Sequence, residues 1–196
     1  MTDERLRRWI SLLLATPGLT AIRDPDEAWH VHVEQSLAAV PAIRAVEGPI
    51  VDVGSGGGAP GLPIASALPD REVTLLEANG RKASFLGRIA AEFPNVRVVR
   101  GRAEEYEGER FGVAVAKALA RPPVAVELCL PLVREGGAAV LFVGPTAELD
   151  AVAAVSARLG GGPPEAQPGL VVVPKVAPTP SGFPRRPGMA AKRPLA

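Results

Sequence analysis

Short runs of apolar, often β-branched residues alternate with amphipathic segments through the middle of the chain. Runs of this kind predict strands that are covered on both faces, as in a parallel sheet. The predicted strands are 50–53, 72–76, 96–99, 113–115 and 138–143, followed by a last strand at 170–173. The predicted helices between them are 60–68, 81–93, 123–133 and 146–159. Strand and helix in alternation indicate an α/β fold with a mostly parallel, doubly wound sheet.

The chain on either side of this core has a different character. Apolar residues at helical spacing predict a helix over 2–14, and Asp24 is placed to cap a second helix over 26–39. From Pro174 onward prolines and basic residues dominate, and we expect this stretch not to bury itself. We therefore divide the chain into an N-terminal helical segment packed on the core, the core domain, and a basic, proline-rich tail, at 1–48, 49–177 and 178–196.

The formal net charge is only +1, but the basic side chains are concentrated at the C-terminal end. Residues 151–196 carry six basic side chains and one acidic side chain. A cationic tail on a near-neutral body favours contact with a polyanion, because neutralising phosphates releases counterions. A solvated basic tail explains the charge equally well. Hydrophobic residues make up 47% of the chain and charged residues 22%, which argues against a disordered or fibrous protein.

Metal and membrane chemistry find little support in the sequence. Cys129 is the only cysteine, so the chain forms no internal disulfide, as is typical of a reducing cytosol. No apolar run approaches the roughly 18 residues that cross a bilayer. His30 and His32 are two residues apart and face nearly opposite sides of a helix, which argues against a paired metal ligand. His32, Gln35 and Ser36 share one helix face, where we expect His32 to be packed and hydrogen-bonded. We predict a cytoplasmic protein without a bound metal.

The most informative stretch is a glycine-rich loop, D-V-G-S-G-G-G-A-P-G at 52–61, which follows the first predicted strand and opens a helix. Glycines there let the backbone turn sharply and let a ligand approach the peptide groups closely. The spacing of Gly54, Gly56 and Ala59 also fits a dinucleotide such as NAD, so spacing alone leaves the ligand open. A purely structural glycine turn is a further alternative.

Two acids bear on the choice of ligand. Asp52 precedes Gly54, Gly56 and Gly58 in an acid-x-G-x-G-x-G pattern. A carboxylate there attracts an ammonium or sulfonium group and repels pyrophosphate, which favours S-adenosylmethionine over NAD. Glu77, at the end of the second strand, is placed to accept both ribose hydroxyls, which either cofactor offers. We therefore predict a site for S-adenosylmethionine.

With these residues in place, the chain resembles a known family, the bacterial 16S ribosomal RNA guanine-N7 methyltransferases, also called glucose-inhibited division protein B. The matches run in one order from residue 19 to residue 195. They are I-R-D-P-D-E at 22–27 with His32 and S-L at 36–37, the extended glycine loop at 52–63, L-L-E-A-N-G-R-K at 75–82 with F-L at 85–86, G-R-A-E-E at 101–105, and the basic F-P-R-R-P-G and K-R-P-L at 183–188 and 192–195.

The resemblance implies a Rossmann-like class I S-adenosylmethionine-dependent methyltransferase with an N-terminal helical extension. It assigns cofactor contacts to Gly54, Ala59, Ala103, Glu104 and residue 117. Glu104 and the neighbouring backbone are suited to the adenine amino edge, with an exposed acid as the alternative. The expected substrate is a guanine of 16S ribosomal RNA, naked or within the small ribosomal subunit. The protein is expected to be a monomer.

The chain departs from the family pattern at several positions. Lys117 stands where the family usually has arginine; it keeps the charge but loses the planar fork that binds a carboxylate at two points. Val143 stands where a lysine is common, Gln35 stands where an acid is common, and the sixth strand is eroded to 160–169. These departures leave open a non-catalytic module that binds the cofactor together with RNA or a partner. An NAD-dependent oxidoreductase is a third interpretation, but Tyr106 is the only tyrosine and no lysine follows it at short helical spacing.

Methylation of guanine N7 asks for positioning rather than for a general base, because the lone pair of N7 is already free. Holding sulfur, methyl and N7 in line can contribute up to roughly 7–11 kcal/mol. We expect Lys117, Arg185 and Arg186 to position the substrate, and Lys117 to approach the methionine carboxylate or an RNA phosphate. The tail is expected to fold over the flipped guanine and to contact phosphates through its basic side chains, which are Lys175, Arg185, Arg186, Lys192 and Arg193.

Overall fold

The computed structural model describes residues 2–106, 110–145 and 147–196. Within these residues seven strands form one sheet: β1 (Ile50–Val53), β2 (Val73–Glu77), β3 (Val96–Arg100), β4 (Phe111–Lys117), β5 (Val133–Phe142), β6 (Glu165–Gln167) and β7 (Leu170–Pro174). Their order across the sheet is β3-β2-β1-β4-β5-β7-β6. The first five strands are parallel, whereas β7 is antiparallel to β5 and to β6. The structure confirms the mostly parallel sheet.

Helices cover both faces of this sheet. They are α1 (Thr2–Ala15), α2 (Pro25–Trp29), α3 (Gln35–Leu37), α4 (Val40–Arg44), α5 (Gly61–Ala67), α6 (Gly80–Ala90), α7 (Pro122–Cys129), α8 (Leu149–Arg158) and α9 (Met189–Lys192). Successive strand residues point to opposite faces. Ile50 therefore joins the hydrophobic cluster with α1, α5 and α6, while Val51 joins the cluster with α7 and α8. The predicted double winding is confirmed.

The strand order reverses beside β1, which lies between β2 and β4. In doubly wound sheets the ligand binds beyond the carboxyl ends of the strands at such a switch point, because the helices on either side diverge there and leave a crevice. The glycine loop leaves β1 at this edge. The topology therefore places the candidate site above β1, β2 and β4.

The N-terminal helices pack through one apolar face. Asp24 caps α2 as predicted, since its side chain accepts a hydrogen bond from the backbone N–H of Glu27 at 2.8 Å. The helix predicted over 26–39 is not uniform: a π-helical turn, His30–Glu34, separates α2 from α3, and the pattern did not predict α4. Turns of this kind recur at functional sites. The residues of α1 that are buried, as their spacing predicts, include Leu6, Trp9, Ile10 and Leu13.

Some predicted boundaries are wrong because sheet pairing overrides the local pattern. The helix predicted over 123–133 ends at Cys129, and Val133 already pairs with Phe111 at the start of β5. The sixth strand is not lost but survives as the short, exposed edge strand β6. The helix predicted over 146–159 begins at Leu149; Thr146 lies outside the described residues.

The basic tail is attached to the body, so the expectation that it does not bury itself is wrong at Lys175 and Ala190, although the other residues of 176–196 are exposed or half-buried. Lys175 is only 2% exposed, and its ammonium donates to the carbonyl of Leu159 and to Oγ1 of Thr179, the latter at 2.6 Å. Ala190 of α9 is buried, and Phe183 packs against the α7–α8 side of the core. None of the described helices combines the length and the apolar character needed to cross a lipid bilayer.

Candidate active site

The glycine loop folds back over the carboxyl end of β2. The backbone N–H groups of Gly54 and Ser55 both donate to the carbonyl of Leu76, at 2.8 and 3.2 Å. Gly54 has φ +73°, a left-handed conformation that residues with a side chain rarely adopt. A Cβ at Gly54 would also lie 2.5 Å from Cδ1 of Leu119. The backbone conformation therefore favours glycine at this position, and a Cβ there would also force the end of the Leu119 side chain to shift.

Asp52 lies beneath the loop rather than on its open side. Its side chain is fully buried, and Oδ2 accepts a hydrogen bond from the backbone N–H of Gly61 at 3.0 Å. Burial raises the pKa of Asp52 to about 7, although the hydrogen bond from Gly61 opposes the shift; the nearby Glu77 adds to it. Oδ1 has no hydrogen-bond partner among the described residues. The carboxyl thus faces the start of α5, whereas we expected it on the open side of the loop.

Glu77 lies at the open side of the loop, where the sequence places it. Its carboxylate accepts hydrogen bonds from the backbone N–H groups of Gly56 at 2.8 Å and Asn79 at 2.7 Å. A carboxylate has about four acceptor sites, so two hydroxyls can still bind. Asn79 in turn caps α6 by accepting from the backbone N–H groups of Arg81 and Lys82. The cap brings the first turn of α6 beside the loop.

Three cavities follow one another along the carboxyl edge of the sheet. The β2 cavity, of about 310 Å³, lies at the end of β2; the loop cavity, of about 280 Å³, lies beside the glycine loop; and the β5 cavity, of about 540 Å³, lies at the end of β5. Gly54 and Lys82 line both the β2 and the loop cavity. Lys117 lines both the loop and the β5 cavity, and Ala118 lines all three. The three cavities therefore adjoin one another along this edge, and we call the row of three the cleft.

The β2 cavity collects residues from distant parts of the chain. Glu77 lines it together with Ala103 and Glu104, which lie in a 3₁₀ turn after β3. Gly188 and Ala190 from the tail line it as well. Oε1 of Glu104 accepts a hydrogen bond from the backbone N–H of Gly188 at 2.8 Å. Of the residues expected from the resemblance, Gly54, Ala103 and Glu104 line this cavity, and the tail is joined to them; Ala59 and Lys117 line the loop cavity.

The loop cavity is lined by Ala59 and by His32 from the π-helical turn. Nε2 of His32 lies 3.1 Å from Oγ1 of Thr20, and its ring meets the ring of Trp9 edge-on, with 6.4 Å between centroids. Burial lowers the pKa of His32, and the Lys117 ammonium lowers it further, so the imidazole is mainly neutral at pH 7. The expected packed, hydrogen-bonded histidine is found, and it also faces the cavity.

Lys117 stands at the junction between the loop cavity and the β5 cavity. Its ammonium donates to the carbonyl of Val31 in the π-helical turn and lies 3.4 Å from Oε1 of Gln35. It also lies 5.6 Å from the centre of the Phe142 ring, within cation–π range. Burial lowers the pKa of Lys117 to about 8. Three departures from the family pattern thus cluster here, since Val143 lines the same β5 cavity as Lys117 and Gln35.

The basic side chains of the tail have different environments. Arg185 forms a bidentate ion pair with Glu127 of α7, in which Nε lies 2.6 Å from Oε1 and Nη2 lies 2.7 Å from Oε2. The expected substrate contact of Arg185 does not fit this arrangement, because its guanidinium is already committed to a carboxylate. The expected phosphate contact of Lys175 does not fit either, because its side chain is buried. The exposed basic side chains of the tail are Arg186, Lys192 and Arg193.

Sequence reasoning gave no role to several residues of the cleft. Lys82 lines two cavities. The sequence feature that could have identified it is its position in the first turn of the helix that follows Glu77. Leu119 carries no local signal, because only the fold brings it to the β2 cavity. Gly188 belongs to the motif at 183–188, but the motif does not indicate that it lines this cavity. Within residues 2–106, 110–145 and 147–196, no group of three His, Cys, Asp or Glu side chains is arranged to hold a metal ion.

The cleft fits an elongated ligand with unlike ends. The β2 and loop cavities join at Gly54, where a Cβ would intrude. Acceptors lie at one end, on Glu77 and Glu104, and the Lys117 ammonium lies at the other. This donor and acceptor set matches a nucleoside at one end and a carboxylate at the other, as in S-adenosylmethionine. The sheet topology and this site define the class of Rossmann-like S-adenosylmethionine-dependent methyltransferases.

Comparisons with known proteins agree with this class. An O-methyltransferase from neocarzinostatin biosynthesis, solved with S-adenosylmethionine, superposes with a TM-score of 0.63 at 18% identity, over 76% of this chain and 55% of that chain. A precorrin-6y C5,15-methyltransferase from Geobacter metallireducens superposes with a TM-score of 0.54 at 13% identity, over 81% of this chain and 90% of the other. These likenesses show the fold.

Sequence comparison then identifies the family. The model for rRNA small subunit methyltransferase G, GidB, matches residues 4–158. Ribosomal RNA small subunit methyltransferase G of Moorella thermoacetica is 36% identical over 91% of this chain and 82% of its own length, and that of Chloroflexus aggregans is 39% identical over the same shares. The chain belongs to the rRNA small subunit methyltransferase G family. S-adenosylmethionine, not NAD, is its cofactor, and the resemblance stated from the sequence is confirmed.

Proposed function

We propose that this protein methylates N7 of a guanine in 16S ribosomal RNA, with S-adenosylmethionine as the methyl donor. The observation that carries the proposal is the row of adjoining cavities, in which Lys117 and Ala118 line both the loop cavity, assigned to the cofactor, and the β5 cavity, assigned to the base. The printed names of the relatives support ribosomal RNA of the small subunit as substrate. The resemblance in the sequence supports guanine N7 as the methylated atom.

In this proposal the β2 cavity holds the nucleoside. Glu77 keeps acceptor sites for the ribose hydroxyls, since its two bonds to backbone N–H groups leave lone pairs unused. Ala103 provides an apolar surface for the adenine ring, and Glu104 accepts from the adenine amino group. The methylene chain and the methionine end extend past Gly54 into the loop cavity, where Ala59 lines the wall.

The other predicted cofactor-binding residues, which are Asp52, Gly56 and Gly58, set the shape of the glycine loop. Gly56 and Gly58 have φ +56° and +113°, so both hold turns that other residues resist. Asp52 ties the loop to the start of α5 from below. We therefore assign Asp52 to loop geometry rather than to contact with the sulfonium.

The β5 cavity is the place we assign to the extruded base. Enzymes that modify a base within structured nucleic acid take it out of its stack. The cavity offers the aromatic ring of Phe142, and stacking on such a ring contributes about 1–3 kcal/mol per base. Beside it, the Lys117 ammonium has three N–H donors; the carbonyl of Val31 and Oε1 of Gln35 take two of them, which leaves one for the base.

The chemistry of Lys117 favours guanine over adenine. Guanine presents two acceptors, N7 and O6, on the edge that is methylated, whereas adenine presents a donor in place of O6. An ammonium only donates, so it binds O6 of guanine and repels the amino group of adenine. S-adenosylmethionine supplies a methyl group on a positively charged sulfur. The chain itself needs to hold the base in line with that methyl group, and no proton has to be removed from N7.

The test uses small ribosomal subunits from cells that lack this modification, with borohydride and aniline cleavage to locate N7-methylguanine. We expect the wild-type protein to introduce one cleavable guanine. Phe142→Leu should raise the KM for the subunit about tenfold, with little change in the affinity for S-adenosylhomocysteine. Leu149→Ala, at an exposed position outside the three cavities, is the matched control. Intact cofactor binding without any methylated guanine contradicts the proposal.

We also propose that the protein acts in the cytoplasm as a monomer, where a ribosomal substrate is available to it. The relatives named after the small subunit support this location indirectly. Light scattering after gel filtration tests the oligomeric state, and a mass twice that of the chain contradicts the monomer.

A further inference from the structure

The C-terminal segment, which we define as residues 183–192, forms one wall of the β2 cavity. Gly188, Ala190 and Ala191 line this cavity. By contrast, the described residues that line the β5 cavity end at Leu170. The segment therefore lies at the end of the cleft assigned to the nucleoside. With the ligands placed as proposed above, the segment lies against the nucleoside, whereas the sequence led us to expect it over the guanine.

Two polar contacts attach the C-terminal segment to the body. The first is the bidentate ion pair of Arg185 with Glu127, whose side chains are 21% and 3% exposed. A two-point pair of this kind fixes orientation as well as distance. The second is the hydrogen bond from the Gly188 N–H to Glu104 at 2.8 Å. Between them the segment has little freedom to move away from the cavity.

We propose that the Arg185–Glu127 pair positions the cofactor by holding the C-terminal segment against the nucleoside. Glu104 is the joint of this arrangement, because one of its carboxylate oxygens binds the Gly188 N–H and the other is left to face the ligand. Arg185 acts through the segment and is a positioning residue, not a catalytic one. The inference rests on the proposed placement of the nucleoside in the β2 cavity.

A suitable variant removes the pair without leaving a buried charge. Arg185→Ala alone strands the carboxylate of Glu127, which is nearly buried, and such a change destabilises proteins whatever its functional role. The double variant Arg185→Met with Glu127→Leu removes both charges and keeps most of the volume. Arg186→Ala is the matched control for cofactor binding, since it removes one exposed cation from the adjacent position.

The measurements are calorimetric titration with S-adenosylhomocysteine and hydrogen exchange of peptides that cover the C-terminal segment. We expect the Kd for S-adenosylhomocysteine to rise at least tenfold in the double variant and to stay within twofold in Arg186→Ala. In the wild-type protein the ligand should slow exchange across the segment, and in the double variant it should do so much less. At saturating S-adenosylmethionine, kcat should return to within about threefold of wild type, so that the defect is in KM.

An unchanged Kd in a double variant whose segment exchanges faster overturns the proposal, because the segment is then loose without consequence for the ligand. Equal losses of RNA affinity in the double variant and in Arg186→Ala, with cofactor affinity intact, overturn it in favour of an RNA-binding tail. Failure of the proposed function is distinguishable, because a wild-type protein that binds S-adenosylhomocysteine without methylating the subunit leaves these binding measurements decisive.

Discussion

The indole of Trp9 donates a hydrogen bond to the carbonyl of Gly57, 2.8 Å away, and so ties α1 to the glycine loop. Leu13, one turn further along α1, closes on the same loop: its Cδ1 lies 2.5 Å from where a Cβ of Gly57 would be. The N-terminal helix therefore supports the loop from outside the sheet. Changes in α1 that touch the loop should affect cofactor binding as well as stability.

Trp9→Phe tests this support. Phenylalanine keeps most of the apolar contact but cannot donate to Gly57, so about 1 kcal/mol of hydrogen bonding to the loop is lost. We expect the Kd for S-adenosylhomocysteine to rise about fivefold by calorimetric titration. Leu6→Ala, one turn earlier on the same buried face, is the control. It should lower the free energy of unfolding by about 2–5 kcal/mol without lowering the affinity for S-adenosylhomocysteine. Similar ligand affinities for wild type and Trp9→Phe contradict the supporting role.

Gly54→Ala separates crowding from backbone strain. Alanine at this position meets Cδ1 of Leu119 and adopts φ +73°, whereas alanine at Gly18 adopts φ +82° with nothing within 4 Å. Both variants carry a similar backbone strain of about 1 kcal/mol. Only the added methyl group of Gly54→Ala displaces a side chain that lines the β2 cavity, that of Leu119. We expect S-adenosylhomocysteine binding to be abolished in Gly54→Ala and retained in Gly18→Ala. Thermal unfolding of both proteins checks that each is folded; equal binding by the two folded variants counts against the cleft.

Lys117→Arg tests the charge at the junction. Burial lowers the pKa of Lys117 to about 8, so the ammonium loses its proton as the pH rises through that value. An activity that uses the charge should fall between pH 7 and pH 9. Arginine stays protonated throughout this range. We expect the alkaline limb of kcat/KM to move upward by at least one pH unit in Lys117→Arg. If both proteins lose activity at the same pH, the limb belongs to another group or to the RNA.

Asp52→Asn tests the buried carboxyl. The pKa of Asp52 is raised from 3.8 to about 7, so between these values the folded protein keeps a proton that the unfolded chain releases. Stability is then lost as the pH rises through this window, by at most about 1.4 kcal/mol per pH unit. Asparagine is neutral and still accepts from the Gly61 N–H. We expect the free energy of unfolding in urea to rise in Asp52→Asn relative to wild type as the pH increases from 4 to 7, and the difference to level off above pH 7. A pH-independent difference between the proteins excludes this titration.

The positions of the glycine loop and of Glu77, the last residue of β2, were predictable because they depend only on where these residues stand relative to the strands. A glycine string directly after a strand must lie at the carboxyl edge of a parallel sheet, and Glu77 at the end of β2 must lie beside it. The predicted Asp24 cap is also local, since it bonds within three residues. The Asn79 cap is equally local, although the sequence analysis did not predict it. Such features follow from the sequence without knowledge of tertiary contacts.

The tail was not predictable in the same way. A proline-rich, basic segment has the composition of an exposed tail, and the partner that buries Arg185 is Glu127, 58 residues earlier. Glu127 itself lies within an apolar helix, where a single acid gives no indication of its partner. The burial of Asp52 was missed for a related reason, because the pattern shows that an acid precedes the glycines but not which side of the loop it faces. Long-range pairing decides both positions.

Ala118 has φ +53° directly after β4 and lines all three cavities. Asparagine tolerates this left-handed backbone better than most residues with a side chain. An asparagine side chain at residue 118 would stand between the cofactor and the base. The outer parts of the β2 cavity and the β5 cavity would stay unchanged. Such a variant would bind S-adenosylmethionine and the RNA without transferring the methyl group. It would therefore allow the complex with the unmethylated ribosomal substrate to be isolated.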